Sequence, residues 1–137
     1  MESEAHKEYV LNAIDYIKRT FHVDDSMIAS DLGVAQKLPP KDIDGFRADV
    51  YVNTPDLIII AEAKTDNDIV NNHTNAQLIS YIKEVLAYNK ERHIILSSSM
   101  AGYPSIRNVI RRLRKRFNIT GINFHTVDPF KKGEILL

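Results

Sequence analysis

The sequence predicts an α/β fold: a central mixed β-sheet flanked by helices, with elements in the order α-β-β-α-β-α-β. Three segments repeat apolar residues at helical spacing, namely 4–21, 74–89 and 104–117. Two adjacent runs, 46–53 and 57–61, have the alternating and the wholly apolar patterns of strands. Further apolar runs at 92–96 and 121–127 follow the second and third helices, and residues 135–137 are predicted to add an edge strand. This alternation of helices and strands is typical of an α/β sheet.

Length and composition predict one soluble globular domain that spans residues 1–137. Charged residues make up 26% and hydrophobic residues 44% of the chain, which is ordinary for such a domain. No apolar run is long enough to cross a bilayer, and the polar start MESEAHKE does not resemble a signal peptide. The chain has no cysteine, which excludes disulfides and thiolate metal sites. We therefore expect a cytoplasmic protein with no membrane partner.

The net charge of zero hides an uneven distribution of charge along the chain. Residues 1–72 carry 14 acidic and 7 basic side chains, whereas residues 73–137 carry 4 acidic and 11 basic ones. In one compact domain this pattern predicts an acidic site region beside a basic surface. The pattern is compatible with a nucleic-acid partner but does not by itself require one.

The N-terminal third predicts one helix followed by irregular chain. Glu8 lies beside the apolar stripe of the helix over 4–21, so it is either a solvated glutamate or an accessory carboxylate near a site. The run Asp24-Asp25-Ser26 predicts the start of a short helical turn over 27–32 that Gly33 would end. Residues 37–45, with two prolines, predict a loop whose aspartates either form turns or supplement a metal site.

Residues 46–64 carry the polar side chains with the strongest functional signal. A turn around residues 53–56 predicts that Asp49 stands opposite Ile60 in a hairpin. Asp49 and Glu62 then share one face as diagonal neighbours, with Cα atoms about 7–8 Å apart. Lys64, two residues after Glu62, points to that same face. Two carboxylates and an amine at the end of an apolar strand predict a site for a divalent metal beside a water.

The C-terminal half adds candidate contacts to this site. Residues 65–75 have no clear period and predict a mobile flap over it. On the helix after the flap, Gln77 and Tyr81 lie four residues apart on one face, so Gln77 can reach a ligand at the sheet end. His73 precedes that helix, as either a capping neighbour or a substrate contact. The helix over 104–117 carries six cations: Arg107, Arg111, Arg112, Arg114, Lys115 and Arg116.

The pattern D-x12-E-x-K with a following Gln-x-x-x-Tyr resembles the PD-(D/E)XK nuclease superfamily. The residues that carry the resemblance are Asp49, Glu62-Ala63-Lys64, Gln77 and Tyr81. The stretch DIDGFRADVYV is similar to the corresponding region of Holliday-junction resolvase-like and virus-type replication-repair nucleases, and Gln-x-x-x-Tyr is similar to the exonuclease branch. One departure is Ala48, which stands where many members have a proline before the first acid. The resemblance covers residues 5–127 and implies a restriction-endonuclease-like core.

The resemblance also implies roles for individual residues. Asp49 and Glu62 would ligate Mg²⁺ or Mn²⁺ together with the backbone carbonyl of Ala63, and Glu8 is a further candidate ligand. Lys64 would orient or deprotonate the attacking water, and Gln77 would position that water, Lys64 or the substrate. The cations at Arg107, Arg111, Arg112, Arg114 and Lys115 would contact nucleic-acid phosphates, with Tyr81 and His73 as additional candidate contacts.

We therefore expect a metal-dependent nuclease that hydrolyses phosphodiester bonds, with DNA a better candidate substrate than RNA. A homodimer and a targeting partner protein are candidate partners. The alternatives are a nucleic-acid-binding or assembly subunit on the same fold, with little or no cleavage activity, and an unrelated α/β interaction protein. In those cases Asp49 and Glu62 would form ordinary salt bridges with Arg47 and Lys64, Tyr81 would pack in the core, and the cations of the third helix would be a solvated face.

Overall fold

The computed structural model describes residues 3–32, 39–130 and 133–136. They form three α-helices: α1 (Glu4–Phe21), α2 (Asn72–Leu86) and α3 (Tyr103–Phe117). Eight strands accompany them: β1 (Ile28–Ser30), β2 (Asp42–Ile43), β3 (Phe46–Arg47), β4 (Val50–Asn53), β5 (Leu57–Ala63), β6 (Glu91–Ser97), β7 (Asn123–Val127) and β8 (Gly133–Leu136). Short 3-10 turns cover Asp25–Met27, Asp66–Asp68 and Met100–Gly102.

Six of these strands form one mixed sheet in the order β1-β4-β5-β6-β7-β8. The inner strands β5, β6 and β7 run parallel, while β1, β4 and β8 are antiparallel to their neighbours. The strands β2 and β3 form a separate two-stranded hairpin. The predicted α/β class with a mixed central sheet between helices is thus confirmed.

The core is divided by this sheet into two layers. On one side α1 packs on alternate residues of β4 and β5, such as Val50, Ile59 and Ala61. On the other side α2 and α3 pack on the intervening residues, such as Ile58 and Ile60. Every residue of β5 is buried, because this strand has helices on both faces and a strand on each side.

Local signals in the sequence set the ends of the helices. Ser3 caps α1 by accepting a hydrogen bond from the amide of His6, and His22 ends the helix in the left-handed conformation. The predicted bounds of this first helix are confirmed. Helix α2 covers Asn72–Leu86 where 74–89 was predicted. It starts earlier because Asn71 caps it by accepting a hydrogen bond from the amide of Thr74. Pro104 stands in the first turn of α3, as predicted.

The region before the central hairpin differs from the prediction. Asp24 caps only the 3-10 turn Asp25–Met27, and the chain then extends as β1 along the edge of β4. Pairing with β4 buries Ile28 completely, which outweighs the local preference for a helical turn over 27–32. Gly33 and residues 34–38 lie outside the described residues.

The predicted loop over 37–45 contains the small hairpin β2–β3. Asp44 and Gly45 form its tip with positive φ angles of 53° and 83°, the backbone of a two-residue turn. Asp42 accepts a hydrogen bond of 2.8 Å from the amide of Gly45. Asp42 therefore forms a turn, the first of the two roles considered for it.

The predicted flap over 65–75 is a folded connection. Asp66–Asp68 form a 3-10 turn, and Ile69 is buried against the core. The hydroxyls of Thr65 and Thr74 both donate to Asp68. The sequence prediction missed this turn because its side chains are polar and the one apolar anchor is isolated. No helix in the described ranges is long and apolar enough to cross a membrane.

A chain of buried polar side chains crosses the layer beneath α1. The Tyr16 hydroxyl lies 2.8 Å from His125 Nδ1, and His125 Nε2 lies 2.8 Å from His93 Nδ1. His93 Nε2 lies 2.6 Å from the Glu91 carboxylate at the surface. If Tyr16 donates to His125, each ring then donates to the next acceptor, so both histidines are satisfied as neutral rings. Burial lowers the pKa of both histidines, that of His125 to about 4.

Candidate metal centre

The candidate centre lies at the end of the sheet where β5 and β6 finish. The observed register pairs Val50 with Ala61 and Tyr51 with Ile60, so the predicted pairing of Asp49 with Ile60 is wrong by two residues. The turn is centred one residue later than predicted, with the Thr54 amide donating to the Leu57 carbonyl at 2.9 Å. A shift of two residues preserves the face of each side chain. Asp49 and Glu62 therefore still lie on the same face, but directly opposite each other in the register instead of as diagonal neighbours.

Asp49 is held in place by the backbone of the neighbouring strand. It precedes β4, and its Oδ2 accepts a hydrogen bond of 2.8 Å from the amide of Ala63. The nearby Arg47 pairs instead with Asp31 at 2.8 Å. The alternative of a salt bridge between Asp49 and Arg47 is therefore wrong.

A histidine from α1 completes the cluster. His6 Nε2 lies 3.3 Å from Asp49 Oδ2. One ligand atom each from His6, Asp49 and Glu62 lie within 4.8 Å of one another, and within the described ranges this is the one group that could hold a metal ion. Glu8 is exposed and does not belong to this group.

The sequence reasoning missed His6, although a signal for it was present. The buried stripe of α1 includes Val10, Ala13 and Ile17, at spacings of three and four residues. His6 lies four residues before Val10 and so continues that stripe towards the sheet end. A polar residue that extends a buried stripe is a better candidate ligand than Glu8, which lies beside the stripe.

Gln77 and Tyr81 of α2 hold Glu62 from behind. The Tyr81 hydroxyl donates to Glu62 Oε1 at 2.8 Å, and Gln77 Nε2 donates to the same oxygen at 3.2 Å. Tyr81 has no exposed surface, so the expectation that it contacts nucleic acid is wrong. Gln77 Oε1 is buried and has no hydrogen-bond partner among the described residues. The amide thus keeps one acceptor available beside the cluster.

The two carboxylates have opposite tendencies to ionise. Burial, and then the hydrogen bond and charge of Asp49, raise the pKa of Glu62 well above its usual range, while Lys64 and Tyr81 oppose this. Burial also acts to raise the pKa of Asp49, but hydrogen bonds from His6, Glu62 and the Ala63 amide outweigh it and lower the pKa. A proton on the metal-free pair is therefore held by Glu62 in preference to Asp49.

Lys64 and His73 lie at the margin of the cluster. Lys64 follows β5, is half-buried, and its amide donates to the Ser97 carbonyl at 3.0 Å. Its positive charge acts to lower the pKa of Glu62. His73 is exposed in the first turn of α2, with its ring edge-on to Phe46 at 5.5 Å. His73 thus lies next to the start of the helix that Asn71 caps. Of the two roles considered for it, a capping neighbour and a substrate contact, this position matches the first.

The cations of α3 form an exposed face, with one exception. Arg107, Arg111, Arg112, Lys115 and Arg116 are exposed. Arg114 is half-buried, with its guanidinium 5.8 Å from the centre of the Phe124 ring. Two shallow grooves of about 450 and 330 Å³ run along this face, and Asn108 and Arg111 line both of them. We call Arg107, Arg111, Arg112 and Lys115 the basic face, since Arg116 instead lies with its guanidinium 4.9 Å from the centre of the Phe117 ring.

All three helices begin at the same end of the sheet. Helix α1 brings His6 to the cluster from its first turn, and Gln77 lies in the second turn of α2. Helix α3 follows the loop after Ser97, the residue that pairs with Ala63 in the parallel sheet. The N-termini of the three helices, which carry the positive ends of the helix dipoles, thus lie at the same end of the sheet as the cluster.

The chain matches no protein-family model, no curated protein and no solved structure. The interpretation of the centre therefore depends on its own geometry. Its parts are a His-Asp-Glu cluster and a lysine beside it, at the end of the sheet where the three helices begin.

Proposed function

We propose that this chain is a metal-dependent nuclease with a restriction-endonuclease-like fold, which hydrolyses phosphodiester bonds. We propose DNA as its substrate in preference to RNA. The observation that carries the proposal is the cluster of ligand atoms from His6, Asp49 and Glu62 within 4.8 Å of one another. Lys64 stands two residues past Glu62 at the same end of the sheet. A divalent cation can activate water for attack on a phosphodiester, and an adjacent ammonium can offset the charge that develops on the phosphate.

The donor set fits a divalent cation. Two carboxylates supply the oxygen ligands that Mg²⁺ and Mn²⁺ take in proteins, and the imidazole of His6 is a ligand that transition metals accept better than Mg²⁺. We therefore propose Mn²⁺ or Mg²⁺, with Mn²⁺ the better match. The unpaired Oε1 of Gln77 supports the fit, because a buried acceptor of this kind can take a hydrogen bond from water in a coordination shell. A bound cation would neutralise phosphate charge and lower the pKa of its water.

The residues around the cluster each have a task in the proposed reaction. Asp49 is oriented by the Ala63 amide, and Glu62 is oriented by Tyr81 and Gln77, so both carboxylates are pre-positioned. The ammonium of Lys64 would hold the attacking water and offset the charge that develops on the phosphate. The carbonyl of Ala63 remains a predicted additional ligand.

The basic face supports a nucleic-acid substrate. Its cations lie along α3, which starts at the end of the sheet that holds the cluster. Charges in such a row contact phosphates along a strand without reading its sequence. Arg114 is not part of this face, so we assign phosphate contact to Arg107, Arg111, Arg112 and Lys115.

A cleavage assay tests the proposal. Purified protein is incubated with plasmid, branched and single-stranded DNA and with RNA, in Mn²⁺, in Mg²⁺ and in EDTA. We expect metal-dependent cutting that is lost in Glu62→Ala and in Lys64→Ala. The matched control is Asp56→Ala, which removes an exposed carboxylate from the turn at the other end of the hairpin. Cutting that persists in Glu62→Ala would refute the assignment.

A binding subunit without cleavage activity is the second candidate function. The basic face favours it, because that face needs neither the cluster nor a metal. The two functions differ in one result: a binding subunit retains DNA affinity in EDTA and cuts no substrate in either metal. Arg111→Glu with Arg112→Glu should weaken DNA binding and reduce its salt dependence under both proposals.

A further inference from the structure

An apolar groove lies between α2 and α3 at their C-terminal ends, away from the candidate metal centre. Its volume is about 340 Å³. Leu86 and Phe117 form its walls and keep 41% and 45% of their surface exposed, while Ile82 and Ile119 form its floor. Exposed apolar side chains that together line a concave surface mark a contact site more often than apolar side chains exposed singly do.

The charges at the groove restrict its occupant. Lys83 lines it, and the guanidinium of Arg116 lies 4.9 Å from the centre of the Phe117 ring. Both side chains are exposed, and within the described ranges neither forms an ion pair with a carboxylate. A second copy of the chain that docked through the same groove about a twofold axis would add a second Lys83 and Arg116 to the contact, with no carboxylate among the lining residues to pair with them. Such an arrangement is unfavourable, whereas carboxylates would be attracted.

We propose that this groove docks an acidic amphipathic segment of a partner protein, with Leu or Phe side chains in the groove and Asp or Glu beside Lys83 and Arg116. Binding of this type places the apolar side of a segment in a groove and pairs its charges at the rim. Helix α3 has 15 residues and so is about 22 Å long. The segment would therefore leave the cluster at the other end of the helix accessible.

Three synthetic peptides of one length test the proposal on the intact chain. The first carries Leu and Glu at amphipathic spacing, the second replaces each Leu by Ser, and the third replaces each Glu by Lys. Affinity is measured by fluorescence anisotropy, and the contact is located by amide chemical shifts. We expect the first peptide to bind at least about tenfold more tightly than the others, with shifts centred on Leu86, Phe117 and Ile119.

Variants separate the groove from the basic face. Leu86→Asp and Lys83→Glu should each weaken binding of the first peptide about tenfold. The first variant removes an apolar contact in the groove, and the second removes a positive charge at its rim. Arg107→Glu lies at the other end of α3 and serves as the matched control, with unchanged affinity expected. A thermal unfolding midpoint close to that of the unchanged protein verifies that each variant is folded.

Several outcomes would overturn the proposal. Equal binding of the Ser peptide, with shifts on Arg107 to Arg112, would show that acidic peptides bind only to the basic face. Equal binding of the Lys peptide would contradict the charge argument. A dimer in sedimentation that Leu86→Asp dissociates would show that a second copy occupies the groove. None of these results depends on metal binding or cleavage. The docking proposal can therefore be refuted while the proposed nuclease activity stands, and the reverse.

Discussion

Replacing Tyr81 by Phe removes one hydroxyl from the interior and tests how the centre is held together. That hydroxyl donates to Glu62 Oε1 at 2.8 Å, and the ring has no exposed surface. Phe fills the same space, so the substitution deletes a hydrogen bond without opening a large cavity. We expect the variant to fold and to bind divalent metal more weakly.

The magnitude follows from the charge on Glu62. Burial raises the pKa of Glu62 and so favours its neutral form when no metal is bound, and a hydrogen bond from Tyr81 to a neutral acid contributes about 1 kcal/mol. A metal ligand must be ionised, and a hydrogen bond to a carboxylate contributes about 1.5–3 kcal/mol. The metal-bound state therefore loses more than the metal-free state. The difference of about 0.5–2 kcal/mol corresponds to a Kd for Mn²⁺ raised about 2- to 30-fold.

The assay is calorimetric titration with Mn²⁺ at pH 7, with unfolding by urea measured on the same samples. Tyr51→Phe is the matched control, because the Tyr51 hydroxyl donates to Glu84 at 2.9 Å and not to a member of the cluster. This control should lose stability without losing metal affinity. If Tyr81→Phe binds Mn²⁺ as tightly as the unchanged chain, Tyr81 does not position a ligand and Glu62 is not held for a metal.

Three further predictions concern other parts of the molecule. His6→Ala should weaken Mn²⁺ binding more than Mg²⁺ binding, since an imidazole suits a transition metal better; equal losses in parallel titrations would contradict its role as a ligand. Burial lowers the pKa of His93 and His125 below the unfolded value near 6.5, so the unfolded chain binds more protons between about pH 6.5 and 4. As the pH falls from about 6.5 to 4, the free energy of unfolding measured by urea titration should therefore fall by up to about 3 kcal/mol. The fall should be smaller in His125→Gln. Gly102→Ala should destabilise the fold by about 1–3 kcal/mol, because its Cβ would lie 2.7 Å from Ile69 Cδ1; an unchanged thermal midpoint would show that Ile69 can move aside.

The sequence predicted the elements whose pattern is long or wholly apolar. The helix over 4–21 and the strand after residue 56 were identified because their signals repeat over several turns or residues. Short elements were missed. Strand β1 has three residues, and its form depends on pairing with β4, which lies more than 20 residues further along the chain.

The site was predicted from two carboxylates that share a face, and the error in the hairpin register did not change that face. The hairpin register was wrong by two residues, yet the faces of Asp49 and Glu62 were right, because side chains alternate with a period of two. His6 was not predicted: it continues the buried stripe of α1, but that stripe does not show which end of the helix meets which end of the sheet. Tyr81 was a candidate both for core packing and for a substrate contact, because helical spacing shows which side of the helix a side chain is on but not how deeply it is buried.

The three proposed ligands belong to parts of the fold that open on different timescales. Glu62 stands on β5, buried throughout, whose amides should exchange hydrogen only when the whole domain unfolds. His6 stands in the first turn of α1, where its own amide is held by the hydroxyl of exposed Ser3, so this turn should exchange readily. A cation bound between them would join a rigid strand to a fraying helix end. Loading the centre should therefore slow exchange in the first turn of α1 and leave the exchange of β5 controlled by global unfolding.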